Sequence, residues 1–141
     1  MKSSFDIHAE LADYDFSETS IAIVQSKYHN DITDALYQGA LDVLKFYKVG
    51  EIFHRTAAGA FELIYAATDL VYDDELMLDG IITLGCVIKG DTDHDQYINQ
   101  AVTEAIAKLT LESFSPISLG LLTVNTKEQA QERAGGVHGN K

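Results

Sequence analysis

The stretch from residue 80 to residue 95 constrains the fold more than any other part of the chain. It opens with an almost unbroken apolar run, Ile81 to Ile88, which is typical of a strand buried on both faces of a parallel sheet. A short Lys-Gly-Asp-Thr turn follows at residues 89–92. Apolar residues then recur at helical spacing, at Tyr97, Ile98, Ala101, Val102, Ala105, Ile106 and Leu109. The stretch therefore predicts a strand, a turn and a helix, with the turn at the edge of the sheet where α/β proteins bind ligands.

The same alternation of strand and helix recurs along the chain. Besides the strand at 81–88, we predict strands at 21–24, 52–56 and 117–124, and helices at 32–47, 57–70, 97–114 and 127–134, the last capped by Thr126. Such alternation predicts a three-layer α/β/α fold with a four-stranded parallel sheet in a flavodoxin-like arrangement. Residues 20–141 form one domain in this interpretation. Residues 1–19 are a polar, acidic arm that is either disordered or paired with a neighbour's sheet.

Composition excludes several classes of protein. Ten Lys and Arg against 22 Asp and Glu give a net charge of −12, which is the wrong sign for a nucleic-acid binder. No apolar run approaches the roughly 20 residues of a membrane span, and the N-terminus has no apolar signal core, so we predict a cytoplasmic protein. The single cysteine, Cys86, lies inside the apolar run, which favours a buried inert thiol over a nucleophile. An acidic chain must bind any phosphate through local cations and helix amides.

The common cofactor and metal motifs are missing from the sequence. There is no Gly-x-Gly-x-x-Gly after the first predicted strand and no phosphate-binding P-loop. Asp91, Asp93 and Asp95 have the spacing that begins a calcium loop, but Gln96 and Val102 stand where glycine and glutamate are required. The five histidines show no zinc spacing with one another or with the cysteine. We therefore expect no bound metal, no dinucleotide and no P-loop phosphoryl transfer.

Each of a few polar and aromatic residues near the predicted turns can be interpreted in two ways. His94 is either an exposed residue at a helix start or a proton donor whose protonated form is favoured by the neighbouring aspartates. Tyr28 and Phe61 either pack in the fold or stack on a ligand. The cations Arg133 and Lys141 are either solvated or phosphate ligands, and the Glu62 carboxylate either complements a helix dipole or binds a polyol.

Three blocks of sequence carry a family resemblance. They are Ala-Gly-Ala-Phe-Glu-Leu at 58–63, Gly-Cys-Val-Ile-Lys-Gly-Asp-Thr-Asp-His at 85–94, and Glu-Gln-Ala at 128–130 with Arg-Ala-Gly-Gly at 133–136 and His-Gly-Asn-Lys at 138–141. From about Ile21 onward the chain resembles the lumazine synthases. The resemblance implies a transferase of riboflavin biosynthesis that condenses 5-amino-6-(D-ribitylamino)uracil with 3,4-dihydroxy-2-butanone 4-phosphate and releases phosphate and water, without a metal or cofactor. The alternative is a non-catalytic relative that binds lumazine or flavin, or that forms a shell.

The resemblance also implies a role for particular residues. His94 matches the proton-transfer residue of the family. The ribitylaminouracil would be bound by Tyr28, Ala60, Phe61, Glu62, Cys86, Val87, Ile88 and Leu119, of which Cys86, Val87 and Ile88 act through backbone groups. The butanone phosphate would be bound by Asp91, Thr92, Arg133 and Lys141. Members of the family place their sites between adjacent subunits of a pentamer, which in some of them builds a larger icosahedral shell, so a homo-oligomer is implied.

Four features depart from the family pattern. Ala58 replaces a common proline, Asp95 stands where an aromatic residue often follows the histidine, and Leu119 stands where a neighbouring subunit usually supplies a phenylalanine. Loss of an aromatic contact worth about 0.5–1.5 kcal/mol predicts weaker pyrimidine binding. The family continues beyond the position of Lys141 into a C-terminal helix, so we expect a shortened form with low stability, weakened oligomer contacts and reduced activity.

Overall fold

The computed structural model describes residues 7–140, which form a three-layer α/β/α fold. A parallel sheet with the order β2-β1-β3-β4 contains β1 (Ser20–Ser26), β2 (Glu51–Ala57), β3 (Gly80–Ile88) and β4 (Ile117–Val124). The helices are α1 (Ile7–Leu11), α2 (Asn30–Phe46), α3 (Leu63–Val71), α4 (His94–Ser113) and α5 (Lys127–Arg133). A short antiparallel hairpin of β5 (Ala134–Gly136) and β6 (Gly139–Asn140) follows α5. The predicted four-stranded parallel sheet and its flavodoxin-like arrangement are confirmed.

Side chains alternate between the two faces of the sheet, and each face has its own apolar cluster. Ala22 and Val24 of β1 pack in a cluster with Leu63 and Leu70 of α3, and Val102 and Ile106 of α4 extend this layer through Ala67. On the other face, Ile23 packs with Ile32 and Leu36 of α2 and with Ala130 of α5. Because consecutive strand residues point to opposite faces, both helical layers are needed to bury the strands.

The central strands β1 and β3 pair although they are far apart in sequence. Ile21 lies opposite Gly80, and the register continues to Gln25 opposite Leu84. The fully buried Thr83 interrupts the apolar run of β3, and its hydroxyl donates to the Ser118 carbonyl at 2.8 Å. This hydrogen bond removes the cost of burying the hydroxyl among apolar side chains.

Most predicted element bounds lie close to those of the structure. The fourth strand was predicted at 117–124 and is found there, and the Thr126 hydroxyl accepts the Gln129 backbone N–H at 3.2 Å, which confirms the cap of α5. The predicted start at residue 57 of the helix that corresponds to α3 is wrong. Ala57 belongs to β2, where it pairs with Ser26, so α3 begins only at Leu63 and residues 58–62 form a connecting turn.

The N-terminal arm contacts the main domain within the described residues. The backbone N–H of Gly50 donates to the Phe16 carbonyl, and that of Glu51 donates to the Thr19 carbonyl, each at 3.0 Å. Met1 to Asp6 lie outside the described residues. The division of the chain at residue 19, and the pairing of the arm with a neighbour, therefore stay predictions. Among residues 7–140, no helix has the length and apolar character needed to cross a membrane.

Candidate active site

A cleft of about 1080 Å³ lies at the carboxyl ends of β1, β2 and β3. The strand order changes direction between β1 and β3, which is the position where open parallel sheets bind ligands. Nine of the residues expected to bind substrates or to react line this cleft: Tyr28, Ala60, Phe61, Glu62, Cys86, Val87, Ile88, Thr92 and His94. Three segments that are distant in sequence are thus brought together by the topology of the sheet.

The segment after β1 presents an aromatic ring to the cleft. The Lys27 and Tyr28 backbone N–H groups donate to the carbonyls of Ala57 and Ala58, at 2.7 and 3.0 Å, so the chain continues the ladder beyond both strands. His29 then has a left-handed backbone with φ of 57°, and its ring meets that of Tyr28 edge to face at 4.6 Å between centroids. The Tyr28 side chain stays exposed, which leaves its ring face open to a planar ligand.

The turn between β2 and α3 brings a carboxylate close to the backbone. A Cβ atom added at Gly59 would lie 3.0 Å from the Glu62 Oε2, so the glycine allows this close approach. Phe61 lies in the same turn with about half of its surface exposed. The turn therefore offers the cleft an acceptor for hydroxyl groups and an apolar ring.

The end of β3 lines the cleft while the thiol of Cys86 is buried. Cys86 is 2% exposed and belongs to the apolar cluster with Ile23, Leu84 and Ala130. Burial, with a smaller contribution from the negative charge of Asp31, raises the pKa of this thiol to about 11. The protonated thiol is a poor nucleophile, which agrees with the interpretation of Cys86 as an inert residue.

Cys86 is expected to resist alkylation while the chain is folded. Iodoacetamide at pH 8 should leave the native chain unlabelled and should label it after unfolding in guanidinium, because only the exposed thiol ionises near its ordinary pKa of about 8.5. Because folding raises this pKa to about 11, the unfolded chain loses the thiol proton first as the pH rises. The stability that the protonated Cys86 contributes is therefore complete below a pH of about 8.5 and is lost as the pH rises from there to about 11. Mass spectrometry of the labelled chain measures the outcome, and equal labelling of both states would contradict the burial of the thiol.

The turn before α4 carries the histidine that was singled out from the sequence. His94 is the first residue of α4, and its backbone N–H donates to the Thr92 hydroxyl oxygen at 3.4 Å. The His94 side chain is exposed to the cleft. A histidine at the mouth of an open cleft can exchange a proton with a bound ligand near neutral pH.

Among the described residues, three of the expected site residues do not line the cleft of their own chain. Asp91 lies in the same turn but is not among the lining residues, and Lys141 lies outside the described residues. Leu119 pairs with Thr83, three residues before the cleft segment of β3 begins at Cys86, so the two positions are separated by about 10 Å along the strand. The Arg133 guanidinium donates to the Gln129 carbonyl at 3.2 Å and lies 3.9 Å from the Glu132 carboxylate.

Eight further residues line the cleft without having been proposed as site residues: His29, Gly59, Lys89, Gly90, Asp95, Tyr97, Ile98 and Ala101. Helical spacing provides a signal for Tyr97, Ile98 and Ala101, because they follow His94 on one side of α4. No pattern in the sequence singles out His29. Within the described part of the chain, no group of three or more His, Cys, Asp or Glu side chains is arranged to hold a metal ion.

Comparison with known proteins provides evidence about the family of this chain that is independent of the geometry of the cleft. The family model for 6,7-dimethyl-8-ribityllumazine synthase matches residues 18–141. The Porphyromonas gingivalis protein of that name is 40% identical over 139 residues, which cover 93% of this chain and 85% of the relative. The Bacteroides fragilis protein is 43% identical over 121 residues, covering 84% and 83%, and the Rhodopirellula baltica protein is 41% identical over 123 residues, covering 86% and 78%.

The family match and the geometry agree on the same part of the molecule. The matched region contains all four parallel strands and every segment that lines the cleft. The relatives match over most of their own length, so the likeness is not restricted to a shared motif. The chain belongs to the 6,7-dimethyl-8-ribityllumazine synthase family.

Proposed function

We propose that the chain catalyses the last condensation before riboflavin, joining 5-amino-6-(D-ribitylamino)uracil to 3,4-dihydroxy-2-butanone 4-phosphate. The observation that carries the proposal is a single cleft that contains an exposed aromatic ring, Tyr28, and an exposed histidine, His94, at the carboxyl edge of the sheet. The ring suits a planar pyrimidine, and the histidine suits a reaction that releases water and phosphate. Family membership supports both assignments.

The cleft divides into a part for each substrate. Tyr28 stacks on the pyrimidine, and Ala60, Phe61 and Glu62 hold the ribityl chain, with the Glu62 carboxylate accepting from its hydroxyls. Backbone groups of Cys86, Val87 and Ile88 bind the edge of the ring. The turn that contains Asp91 and Thr92 binds the butanone phosphate, where the free amides at the start of α4 favour an anion.

His94 moves protons during the condensation. Two amines of the pyrimidine become bonded to two carbon atoms of the butanone. At each new bond an amine proton leaves and the oxygen on the attacked carbon is protonated and expelled as water, while the phosphate leaves separately by cleavage of its own C–O bond. An imidazole near neutral pH performs both steps in turn. These proton transfers use side chains of the protein itself. No step transfers an electron.

The proposal is tested by mixing the purified chain with both substrates and following the absorbance of the lumazine product. Formation of lumazine above the uncatalysed rate, saturable in each substrate, supports the enzyme. Tight binding of lumazine or flavin without turnover would instead support a non-catalytic binding protein. A chain that neither binds nor converts these molecules would refute both interpretations.

The site is completed by a neighbouring copy of the chain in this proposal. Leu119 and Arg133 do not line the cleft of their own chain, and Leu119 is separated from it by about 10 Å of strand. A heterologous contact between copies can bring these side chains to the cleft of the next subunit, and such contacts close into rings. We propose a homo-oligomer, a pentamer or a larger shell, in which Leu119, Arg133 and Lys141 come from the neighbour. A cytoplasmic location stays a prediction from the sequence.

Arg133→Ala is expected to raise the KM for the butanone phosphate by at least about tenfold and to change the KM for the uracil by less than about twofold. The variant removes a charge-assisted bond to the phosphate, which only one substrate carries. Steady-state kinetics with each substrate varied in turn measures the two constants. Lys108→Ala is the control, because its exposed i, i+4 ion pair with Glu112 lies outside the cleft. Equal changes in both constants would indicate a defect in folding or assembly.

Mixed oligomers test whether the site is shared between chains. His94→Ala and Arg133→Ala chains are unfolded together, refolded and assayed. If each site takes His94 from one chain and Arg133 from the next, random mixing restores both groups in about a quarter of the sites. If each site is formed by one chain, every site lacks one group and no activity returns. Refolded single variants provide the baseline.

A further inference from the structure

Tyr28, the residue assigned above to the pyrimidine, makes one ring contact among the described residues, and that contact is with His29. The two ring centroids lie 4.6 Å apart, with 71° between the ring planes. Within the same part of the chain the Tyr28 side chain makes no hydrogen bond, and 68% of the residue is exposed. An exposed aromatic side chain loses rotamer freedom when a ligand stacks on it, and this loss weakens binding unless the ring is already held in place.

The backbone of His29 is fixed by hydrogen bonds on both sides. The N–H of Tyr28 donates to the Ala58 carbonyl at 3.0 Å. The His29 carbonyl accepts the N–H groups of Ile32 and Thr33, each at 3.0 Å. Between these bonds the chain turns from the end of β1 into α2, with φ of 57° and ψ of 51° at His29. Asn, Asp and His are the non-glycine residues enriched in this left-handed conformation, and of these only histidine has an aromatic ring. His29 can therefore form the turn and also present a ring to Tyr28.

We propose that His29 positions the Tyr28 ring for stacking on the pyrimidine. Both residues line the cleft, and His29 is partly buried whereas Tyr28 is exposed. The edge-to-face contact favours the rotamer of Tyr28 in which it is made, because another rotamer would break it. The cleft then offers the pyrimidine a ring whose orientation is already selected. The inference rests on the proposed function, since it takes the ribitylaminouracil as the ligand that stacks on Tyr28.

His29→Asn is expected to raise the KM for the uracil by about 3- to 10-fold and to change the KM for the butanone phosphate by less than about twofold. Asparagine tolerates the left-handed backbone but has no ring, so the variant removes the contact and keeps the turn. Steady-state kinetics with each substrate varied in turn measures both constants. An equal rise in both would indicate damage to the turn itself, and that result or unchanged constants would overturn the proposal.

Lys48→Asn is the matched control for this substitution. Lys48 also has a left-handed backbone, with φ of 55°, and its exposed side chain does not line the cleft. The control places an asparagine in the same backbone conformation beyond the carboxyl end of α2, and it should leave both constants within about twofold. Circular dichroism and sedimentation of each variant check the fold and the assembly.

A double-mutant cycle shows whether His29 acts through Tyr28. Tyr28→Leu keeps an apolar side chain and removes the ring on which the pyrimidine stacks. In this background His29→Asn should raise the KM for the uracil by less than about twofold, because the contact that it removes is already gone. A factor as large as that in the wild-type background would mean that His29 contacts the ligand directly or supports the fold, and would refute a positioning role.

The Tyr28 ring can also be followed without a substrate. In fluorine NMR of the chain labelled with 3-fluorotyrosine, the Tyr28 signal is the one that disappears in Tyr28→Leu. Removal of the neighbouring imidazole by His29→Asn should shift this signal, because the fluorine loses an aromatic neighbour. A signal at the wild-type position would contradict the contact between the two rings, and the proposal with it.

The proposed function can fail separately, if the wild-type chain forms no lumazine. Calorimetric titration of the ribitylaminouracil into the wild type and His29→Asn then tests His29 alone. An affinity about 3- to 10-fold lower in the variant supports its role. Equal affinities, or no binding to either chain, would refute it.

Discussion

His94→Ala is expected to slow lumazine formation by up to about 10²-fold while leaving the fold and the assembly intact. A positioned acid or base contributes roughly 10²–10⁴ to a rate, and we expect the lower end because an amine and a ketone react readily without help. A loss of 10²-fold corresponds to about 2.7 kcal/mol of transition-state stabilisation. The side chain is exposed at the start of α4, so its removal leaves no cavity in the core.

The measurement is kcat at several pH values between 6 and 8, with sedimentation to check assembly. His54→Gln is the control, because His54 lies on β2 away from the cleft and glutamine can keep the hydrogen bond that its Nε2 makes to the Gln25 Oε1 at 3.0 Å. A variant whose kcat equals that of the wild type at every pH would exclude His94 from proton transfer. A loss accompanied by dissociation would mean that the residue acts in assembly.

Gly120→Ala is expected to destabilise the chain by about 1–3 kcal/mol or more, which is a large share of the roughly 5–15 kcal/mol by which domains are stable. An added Cβ would lie 2.6 Å from the Thr83 carbonyl oxygen and 2.7 Å from the Leu84 Cδ2. The oxygen belongs to the backbone of β3, so it can move only if the central strand moves with it. Because β3 ends at the cleft, we expect activity to fall together with stability.

Gly90→Ala is the matched control for this substitution. A Cβ atom at Gly90 would meet no other atom within 4 Å, so the same chemical change should alter the free energy of unfolding by less than about 0.5 kcal/mol. Urea denaturation of both variants, followed by circular dichroism, provides the comparison. If Gly120→Ala unfolded at the same midpoint urea concentration as the wild type, the close approach of β4 to β3 at this position would be contradicted.

The strands and their order were the most predictable part of this fold. The apolar run of β3 is typical of a strand that is covered on both faces of the sheet. The burial of β3 therefore follows from its sequence alone. The start of α3 was mispredicted because Ala57 and Ala58 are good helix formers, whereas Ala57 pairs with Ser26 across the sheet. Local preference was overridden by a contact between residues about 30 positions apart, which a sequence pattern cannot display.

The sequence predicted part of the lining of the cleft. The family resemblance assigned Tyr28, Phe61 and His94 to one site, and these three residues do line one cleft. Asp95 belongs to the first turn of α4, two residues before the predicted start of that helix, and its place in the cleft depends on how α4 lies on the sheet. The distance of Leu119 from the cleft depends on the register of β4 against β3, which only the folded sheet defines.

The pairing of β1 with β3 also sets the order in which activity can appear during folding. Ile21 and Gly80 are 59 residues apart (80 minus 21), and α2, β2 and α3 lie between them in the chain. Closing so long a loop has an entropic cost that must be met before the pairing stabilises anything, and domains rich in such non-local contacts fold slowly. The helices can form in microseconds, but the ends of β1 and β3, which line the cleft, are not held together until these two strands pair. Catalytic competence should therefore be among the last properties that a refolding chain recovers.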